Sequence, residues 1–391
     1  MSIETKIATL MANDAPLCTL KDLSNILLKI RFTKKFQVIA ITGTNGKGTT
    51  VAMLEKLLIA NNKKVLSHTS PHIFTFNERI SINSTPISDS YLLELLERLT
   101  EITVNYKLSY HQIAFVCMCM CATRENLDYL VLEVGVGGRL DPANLIDADI
   151  AAITNVDYDH CELLGNSLDE IGLEKVAIAR KDKPLFLGSK MPDSIYLYAN
   201  DIGAVICDDT HESTAIDCFQ HSYNISISIA EYLLRKRHIN YITKLDHVKA
   251  NGRCMMLKDD HKNESYVFVD VAHNPASVEH MFELAKLKFK YRDVKYEAIF
   301  GLLKGKDVSK ILTIAKPYIK KWDIIDLSFI DSRALDIGQL QDEFVRHNIF
   351  DVDFHENLES VNMSKKNTVT VVFGSFVLAG EFIKNYDKNC K

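Results

Sequence analysis

Short apolar runs alternate along the chain with stretches in which apolar residues recur every three or four positions. The run FQVIAIT at 36–42 is rich in β-formers and predicts a buried strand, and Thr49–Ala60 then has helical spacing. The same alternation predicts further strands at 65–67, 129–134 and 150–155, and helices at 89–103 and 168–180. Strands that alternate with helices predict an α/β fold with a doubly wound, mostly parallel sheet.

The alternation is interrupted after a helix predicted at 224–237 and then restarts. The interruption is polar and contains the turn signal Asn251-Gly252. Strands are then predicted at 266–271, 296–300, 322–327 and 369–373, and helices at 275–289, 307–318, 336–346 and 375–386. The 391 residues exceed the usual size of one hydrophobic core. We therefore expect two domains, residues 1–249 and a smaller, Rossmann-like α/β domain of residues 250–391.

Composition narrows the classes of protein. Lys and Arg number 46 against 51 Asp and Glu, so nothing favours a nucleic-acid partner, which usually requires a basic excess. No apolar run reaches the roughly 18 residues of a membrane span, and the first ten residues have no apolar signal core. We expect a cytoplasmic protein without a membrane partner. Its 9 cysteines fit that compartment, and Cys117, Cys119 and Cys121 fall in an apolar helical stretch typical of a core.

The clearest chemical motif follows the strand at 36–42. Its residues are Gly43, Thr44, Asn45, Gly46, Lys47, Gly48 and Thr49. Glycines let backbone N–H groups converge on phosphate oxygens, and the helix N-terminus adds partial positive charge. Lys47 is then expected to reach the β- and γ-phosphates and Thr49 to lie near Mg²⁺. The strict P-loop pattern is not matched, since Gly48 separates Lys47 from Thr49, so a simple glycine-rich turn stays an alternative.

Polar side chains follow or end other predicted strands. They include Ser70, Glu133 at the end of YLVLEV, and His160 in Asp157-Tyr158-Asp159-His160. Ligands bind at the carboxyl ends of strands in an open parallel sheet, and a carboxylate closing an apolar strand is unusual in a core. These three residues offer ligands for a divalent ion, although each alone is more often structural. In the second domain, Asp270 and Asn274 flank a strand-to-helix turn, where either is also a candidate helix cap.

Together these motifs resemble one family. GTNGKGT, SPH with ERI, EVGVGGRLD, the DH pair, Glu174-Lys175, Gly252-Arg253, DVAHNP and Gly374-Ser375-Phe376 occur in that family's order over residues of about 35 to 380. The chain is similar to the folylpolyglutamate synthase/dihydrofolate synthase branch of the Mur ligase superfamily. The SPH…ERI and GGRLD segments distinguish this branch from the cell-wall ligases.

The resemblance implies an ATP-dependent amide ligase of folate biosynthesis and one-carbon metabolism. Bifunctional members join L-glutamate to dihydropteroate and then add glutamates to reduced folates, through an acyl phosphate. The implied cofactors are ATP and Mg²⁺, the implied partners are these small molecules, and a monomer is expected.

The resemblance also implies roles for individual residues. The phosphate loop, Gly43 to Thr49, is expected to hold ATP together with Asn224, Arg253, Asp270 and His273. The expected Mg²⁺ ligands are Thr49, Ser70, Glu133 and His160. Lys47, His160 and Lys175 are the expected catalytic residues, and Lys175 matches the lysine that is carbamylated in the superfamily. A solvated helix lysine is the alternative for Lys175.

The acceptor side departs from the family pattern. Ser109, Tyr110, His111 and Gln112 stand where the family usually has an aromatic-Glu pair, and Leu140, Asp141 and Pro142 stand in place of the usual LDA. We expect these seven residues to bind the acceptor substrate. Asn83-Ser84 and the loop near 16–18 also depart from the pattern.

Three alternatives stay open at this point. Another Mur-type ligase would keep the ATP-binding half and use a different carboxylate. A P-loop kinase or NTPase would release phosphate without consuming an amino acid. A non-catalytic nucleotide-binding module would be expected to have lost Lys47, Glu133 or His160, and all three are present.

Overall fold

Two mixed sheets form the framework of the chain. The structure, a computed structural model, describes residues 2–12, 14–188, 191–208, 218–235, 252–260, 265–290, 292–361 and 366–389. These residues fall into two units, which we call the N-terminal unit (Met1–Asp157 with Leu163–Val248) and the C-terminal unit (Tyr158–Glu162 with Lys249–Lys391). The predicted boundary between residues 249 and 250 lies outside the described residues.

The N-terminal unit is built on an eight-stranded sheet. Its strands are β1 (Gln37–Thr42), β2 (Val65–His68), β3 (Ile80–Ile82), β4 (Thr85–Pro86), β5 (Tyr129–Glu133), β6 (Ile150–Ile153), β7 (Pro184–Leu187) and β8 (Val205–Asp208). The order across the sheet is β4-β3-β2-β5-β1-β6-β7-β8, and all neighbours are parallel except β2 with β3 and β3 with β4. The doubly wound, mostly parallel sheet expected from the sequence is therefore confirmed.

Helices connect most of the strands of this unit. They are α1 (Ile3–Ala12), α2 (Leu20–Lys29), α3 (Lys47–Ala60), α4 (Asp89–Ile102), α5 (Tyr110–Arg124), α7 (Leu168–Val176), α8 (Asp193–Ile202) and α9 (Cys218–Leu234), while α6 (Cys161–Leu164) spans the change of unit. Ten consecutive residues of α5, from 113 to 122, are buried. The three cysteines in this run are core residues, as predicted. None of the described helices combines the length and the apolar character that a membrane span requires.

The C-terminal unit contains a six-stranded sheet. Its strands are β9 (Met255–Asp260), β10 (Ser265–Val269), β11 (Lys295–Phe300), β12 (Ile319–Ile325), β13 (Val352–His355) and β14 (Thr368–Phe373), in the order β13-β12-β11-β14-β10-β9. Only β9 is antiparallel to its neighbour. The helices are α10 (Pro275–Phe289), α11 (Val308–Ala315), α12 (Ile337–Arg346) and α13 (Phe376–Asn389). Trp322, Phe300, Phe344 and Phe373 lie in the core.

Several predicted helix ends are wrong: the helix predicted from 224 begins at Cys218, and the one predicted to 318 ends at Ala315. For the helix predicted at 168–180, the structure gives the reason. This helix ends at Val176. The backbone N–H of Arg139 donates to the Glu174 carbonyl at 2.9 Å, and the Ile178 N–H donates to Lys175 instead. In a continuing helix the Glu174 carbonyl would accept the Ile178 N–H group. It accepts the N–H group of Arg139 from another segment instead.

Candidate active site

The register of β1 with its neighbours aligns the strand ends of the N-terminal unit. Ile41 lies opposite Glu133 of β5 on one side and Ala152 of β6 on the other. The loops that follow these three strands therefore leave the sheet at the same edge. The predicted phosphate loop and Glu133 both lie at this edge.

Side chains after β6 support the turn that joins β1 to α3. The backbone N–H groups of Thr44 and Asn45 donate to the side-chain oxygen of Asn155 at 3.1 and 2.8 Å. Gly43 has a φ of +148°, and a Cβ on it would stand 1.8 Å from Thr154 Oγ1. Both the backbone conformation and this contact therefore require glycine at residue 43.

Lys47 is the first residue of α3 and lies across the turn. Its Nζ donates to the carbonyls of Gly43 and Thr44 at 3.0 and 3.3 Å. Gly46 precedes the helix with a φ of +83° and supplies no capping side chain. The ammonium and the first N–H groups of α3 thus meet at one place, which is the arrangement that favours a bound anion.

Glu133 is buried, at 2% exposure, next to the first turn of α3. Its Oε2 accepts the Ser70 backbone N–H at 2.9 Å, and a Cβ on Gly48 would stand 3.3 Å from the same oxygen. Thr49 is buried in that turn. Carboxylate and hydroxyl oxygens are ligands that Mg²⁺ prefers, so the donor set of Glu133, Ser70 and Thr49 fits this ion.

Two further predicted residues of this unit are buried on helices. Lys175 of α7 is 2% exposed, so its interpretation as a solvated lysine is wrong. Asn224 of α9 is also buried, and α9 touches α3 beside the phosphate loop: Ser222 Oγ lies 3.4 Å from the Gly46 carbonyl oxygen.

His160 belongs to the segment 158–162, which groups with the C-terminal unit, and it adopts a φ of +52°. Its backbone N–H donates to Asp159 Oδ1 at 3.0 Å. The Asp159 carboxylate, which is 10% exposed, also accepts from Lys306 Nζ at 2.6 Å and from Asn274 Nδ2 at 3.1 Å. Burial alone would raise the pKa of Asp159, but His273 and Lys306 outweigh it and hold that pKa well below its usual range. The segment is therefore anchored by an ionised carboxylate.

Asp270 and Asn274 have different local roles. Asp270 accepts the backbone N–H groups of Cys254 and Ala272, both at 2.7 Å, and so fixes two loops. Asn274 caps α10 by accepting the Ser277 N–H at 2.9 Å. The helix-cap interpretation thus applies to Asn274 and not to Asp270.

Phe376 lies beside two residues predicted to contact ATP. The Arg253 guanidinium is 5.4 Å from the centre of the Phe376 ring, and the His273 ring centre is 5.8 Å from it. His273 Nδ1 donates to the Val271 carbonyl at 2.8 Å, so this ring is fixed from its other side.

The replacement of the family's usual Glu by Gln112 has a structural explanation. Gln112 Oε1 accepts the Ser109 N–H at 2.9 Å in a capping box at the start of α5, and its Nε2 donates to the Cys18 carbonyl at 2.9 Å. A carboxylate could make the first bond but not the second, since it has no hydrogen to donate. Gln112 thus connects α5 with the loop near 16–18.

The buried Asp141 and the partly buried His111 form a pair near this helix start. His111 Nε2 lies 3.2 Å from Asp141 Oδ2, and Asp141 also accepts three backbone N–H groups, those of Gly135, Val136 and Ala143. Burial alone would raise the pKa of Asp141, but His111 and these hydrogen bonds lower it below its ordinary value. The residues that flank Asp141 differ, since Leu140 is exposed and Pro142 is buried.

Arg79 of the ERI motif holds Tyr110 in an aromatic cluster. Its guanidinium is 4.9 Å from the centre of the Tyr110 ring and 5.7 Å from that of Phe76. Its Nε donates to His72 Nδ1 at 2.9 Å. Arg79 is 6% exposed, so the cluster is preformed by packing rather than by surface contacts.

Sequence reasoning missed several residues of these sites. Asn155, Lys306 and His68 had no assigned role, and Arg79 and Asp159 were noted only within motifs. Asp159 adjoins the predicted ligand His160, which is a usable signal. Lys306 is 147 positions away from Asp159, and no local pattern links the two.

One more group of side chains in the C-terminal unit has the chemistry of metal ligands, namely Asp323, Asp353 and His355. His355 Nε2 is already 2.8 Å from Asp323 Oδ1, and Asp353 pairs with Lys321 at 2.6 Å. These contacts account for the group without an ion.

Comparisons with known proteins place this geometry in context. Residues 41–185 match the family model of the Mur ligase middle domain. A dihydrofolate synthase/folylpolyglutamate synthase of Buchnera aphidicola subsp. Schizaphis graminum is 30% identical over an alignment of 379 positions, which covers 89% of this chain and 88% of that protein.

Two solved structures have the same fold. E. coli FolC in complex with DHPP and ADP matches with a TM-score of 0.84 at 23% identity, over 100% of this chain and 99% of that one. A bifunctional folylpolyglutamate synthase/dihydrofolate synthase with Mn, AMPPNP and L-glutamate bound matches with a TM-score of 0.83 at 22% identity, over 99% and 98%. The predicted α/β fold class is thereby confirmed.

Proposed function

The chain belongs to the dihydrofolate synthase/folylpolyglutamate synthase family of ATP-dependent ligases, and we propose that it joins L-glutamate both to dihydropteroate and to the glutamate tail of reduced folates. The observation that carries this proposal is the Lys47 ammonium held across the phosphate loop, with Glu133 at the same edge of the sheet. This combination favours phosphoryl chemistry over a simple glycine-rich turn.

The proposed reaction has two steps. An oxygen of the acceptor carboxylate attacks the γ-phosphorus of ATP, ADP leaves, and an acyl phosphate forms. The amine of L-glutamate then attacks the acyl carbon, phosphate leaves, and the amine loses a proton as the amide forms. Both steps depend on charge neutralisation and positioning more than on covalent help from the protein.

The N-terminal unit is proposed to hold the phosphates. The loop N–H groups and Lys47 neutralise phosphate oxygens, and Asn224 is proposed to contact adenine. Thr49, Ser70, Glu133 and His160 are the proposed ligands of Mg²⁺, which supplies charge neutralisation when bound. The buried Glu133 supports this assignment, since a carboxylate is rarely buried without a cation or strong hydrogen bonds.

In the C-terminal unit, Arg253, Asp270 and His273 are proposed to contact ATP. The contacts of Arg253 and His273 with the Phe376 ring support a preorganised position for both. Asp270 is proposed to act through the two loops that its carboxylate fixes as well as through the nucleotide.

Lys175 is proposed to be carbamylated. Burial at 2% exposure supports this, because a buried ammonium is costly and CO₂ converts the neutral amine into a carbamate anion. Such an anion would orient a second Mg²⁺. Intact-mass analysis under native conditions would detect the added CO₂.

The acceptor is proposed to bind near the start of α5, at Ser109, Tyr110, His111 and Gln112, and near the turn of Leu140, Asp141 and Pro142. The preformed cluster around Tyr110 and the pair of His111 with the buried Asp141 support this assignment. Gln112 binds Cys18 of the chain itself, so we propose an indirect role for it.

The test is ATP-dependent phosphate release by purified protein with Mg²⁺, L-glutamate and either dihydropteroate or tetrahydrofolate. Release with both acceptors supports the bifunctional assignment, and release with one assigns a single activity. Release without L-glutamate would favour a kinase or NTPase, and no release with either acceptor would favour another carboxylate. Lys47→Ala is expected to lose ligation and to keep its circular dichroism spectrum, since the fold does not depend on the ammonium.

We also infer a monomer that works in the cytoplasm without a nucleic-acid partner. The free cysteines among the described residues are consistent with a reducing compartment. Size-exclusion chromatography with light scattering tests the oligomeric state, and a mass of twice 44.3 kDa would contradict it.

A further inference from the structure

His68 is a fully buried histidine with one unused ring nitrogen. It ends β2 in the N-terminal unit, and its Nδ1 lies 2.8 Å from the Arg79 carbonyl oxygen. A carbonyl only accepts hydrogen bonds, so Nδ1 carries the proton and Nε2 is left with a lone pair. Among the residues that the structure describes, none donates to His68 Nε2.

An unused acceptor in this position is costly and needs an explanation. The proton on Nδ1 is held by the Arg79 carbonyl, and among the described residues no carbonyl or carboxylate accepts a hydrogen bond from Nε2. Nε2 is therefore an acceptor rather than a donor. What is absent is an N–H group that reaches it.

His111 is a neighbouring side chain with an N–H group, and its ring faces that of His68. The two ring centres are 6.2 Å apart and the ring planes are inclined by 42°. A hydrogen bond of roughly 2.9 Å between them would require a shift of about 1 to 2 Å or a rotation of the ring. The Nε2–H group of His111 can be donated to Asp141 or to His68, but not to both.

In this structure His111 donates to Asp141. The other donors to that carboxylate are the backbone N–H groups of Gly135, Val136 and Ala143, which the loop fixes in place. His111 is thus the one side-chain donor among these contacts, and its side chain is 28% exposed. Moving it would free a lone pair of Asp141 and leave the loop intact.

We propose that binding of the acceptor moves the His111 N–H from Asp141 to His68 Nε2, so that the Asp141 carboxylate can accept N–H groups of the acceptor's ring. The His111 side chain then has two positions, and the buried lone pair of His68 Nε2 is its hydrogen-bond acceptor in the second one. The ligand class is a heterocycle with ring or amino N–H donors, which the pterin ring of dihydropteroate and reduced folates provides. This inference rests on the proposed function, and His68 acts as a positioning residue.

The direct test observes the histidine nitrogens of the wild-type protein. With ¹⁵N-histidine, His68 Nε2 is expected to resonate as an unprotonated nitrogen that shifts upfield when dihydropteroate is added, because it gains a hydrogen bond. ATP alone is expected not to cause this shift. A His68 Nε2 signal that does not move at saturating dihydropteroate would overturn the proposal.

Two substitutions separate the proposal from a packing role. In His68→Asn the amide NH₂ can keep the bond to the Arg79 carbonyl, but nothing replaces Nε2. In His68→Gln the amide oxygen lies near the position of Nε2. We expect the Kd for dihydropteroate, measured by calorimetry, to rise about tenfold in His68→Asn and by at most about threefold in His68→Gln, with ATP affinity unchanged in both.

A packing role predicts the reverse order, with His68→Asn similar to the wild type and His68→Gln weakened, and that result would overturn the proposal. Unchanged affinity in both variants would do the same. The control is His355→Asn, which removes another His–Asp pair at 2.8 Å in the C-terminal unit and is expected to leave dihydropteroate affinity unchanged. The binding assays need no turnover, so a chain that ligates neither acceptor refutes the proposed function separately.

Discussion

We expect the ion pair between Lys306 and Asp159 to stabilise the C-terminal unit. Nζ and Oδ1 are 2.6 Å apart, and the two side chains are 11% and 10% exposed. Lys306→Met keeps the length of the side chain and removes its charge. Asp159 then stays ionised in a buried position, which is the most unfavourable result of breaking such a pair.

The expected loss lies at the lower end of the range for buried pairs. Asp159 keeps its hydrogen bonds from Asn274 Nδ2 and from the His160 N–H in the variant. We therefore expect the free energy of unfolding of the C-terminal unit to fall by about 3 kcal/mol. With a urea m-value of about 2 kcal/mol/M, the midpoint falls by about 1.5 M.

Tryptophan fluorescence reports on this unit alone. Trp322 is the only tryptophan of the chain, and it is 1% exposed in the core of the C-terminal unit. Urea unfolding followed by its emission therefore measures the affected unit without a contribution from the other. The double variant Lys306→Met/Asp159→Asn is expected to recover part of the loss, because the buried charge is then gone.

A matched control lies close by on α11. Lys310 pairs with Asp307 at 3.1 Å, but these side chains are 67% and 42% exposed, and Lys310→Met is expected to keep the wild-type midpoint. If Lys306→Met also keeps it, the pair does not anchor the segment 158–162 and the reasoning fails.

Three more predictions follow from the N-terminal unit. Gly43→Ala is expected to lose ATP binding, measured by calorimetry, and to lower the melting temperature, because its Cβ would stand 1.8 Å from Thr154 Oγ1. Burial raises the pKa of Glu55, so the folded state holds this proton more tightly than the unfolded state does. The free energy of unfolding therefore falls as the pH rises from the unfolded pKa of 4.5 through the folded pKa. The Glu55→Gln variant does not lose stability in this way. The difference in free energy of unfolding, variant minus wild type, is therefore expected to increase from pH 4.5 to pH 8. Glu133→Ala is expected to raise the Mg²⁺ concentration for half-maximal ligation at least about tenfold, with little change in melting temperature.

A specific result would contradict each of these three predictions. For Gly43, the control is Gly203→Ala, where the nearest atom to a new Cβ is Lys181 Cγ at 3.6 Å; equal effects of the two variants would contradict the steric argument. A Glu55→Gln difference that is constant with pH would show that this carboxyl is not perturbed by folding. Full activity of Glu133→Ala at limiting Mg²⁺ would remove Glu133 from the metal site.

Strands β1, β5 and β6 were predictable because each is an apolar run closed by a turn signal, whereas β7 was missed. The run at 36–42 and the helix after it are reproduced as β1 and α3. Elements that depend on a partner were not predicted. Strands β3 and β4 contain only 3 and 2 residues, and β13 is an edge strand with the half-exposed sequence VDFH. Such segments become strands through pairing, which local periodicity does not encode.

Some residues of the candidate site could likewise be predicted from the sequence, and others could not. Motif residues such as Lys47 and Glu133 are recognisable because their chemistry is unusual for their position in the pattern. The burial of Lys175 and the use of Gln112 as a donor to Cys18 depend on segments that meet only in the folded chain. The pair of His68 and His111 combines a strand end with a helix start 43 positions later, and neither residue is unusual in its own surroundings.

The grouping of residues 158–162 with the C-terminal unit has a consequence for recombination between relatives. A chimaera joined near residue 249 would take this segment from one parent and Lys306 and Asn274 from the other. Such a hybrid works only if Asp159 and its partners are compatible across the junction. A graft of the C-terminal unit therefore has to include this five-residue insert as a second exchanged piece, and coupled inheritance of residues 159 and 306 is the mark that such exchanges would leave.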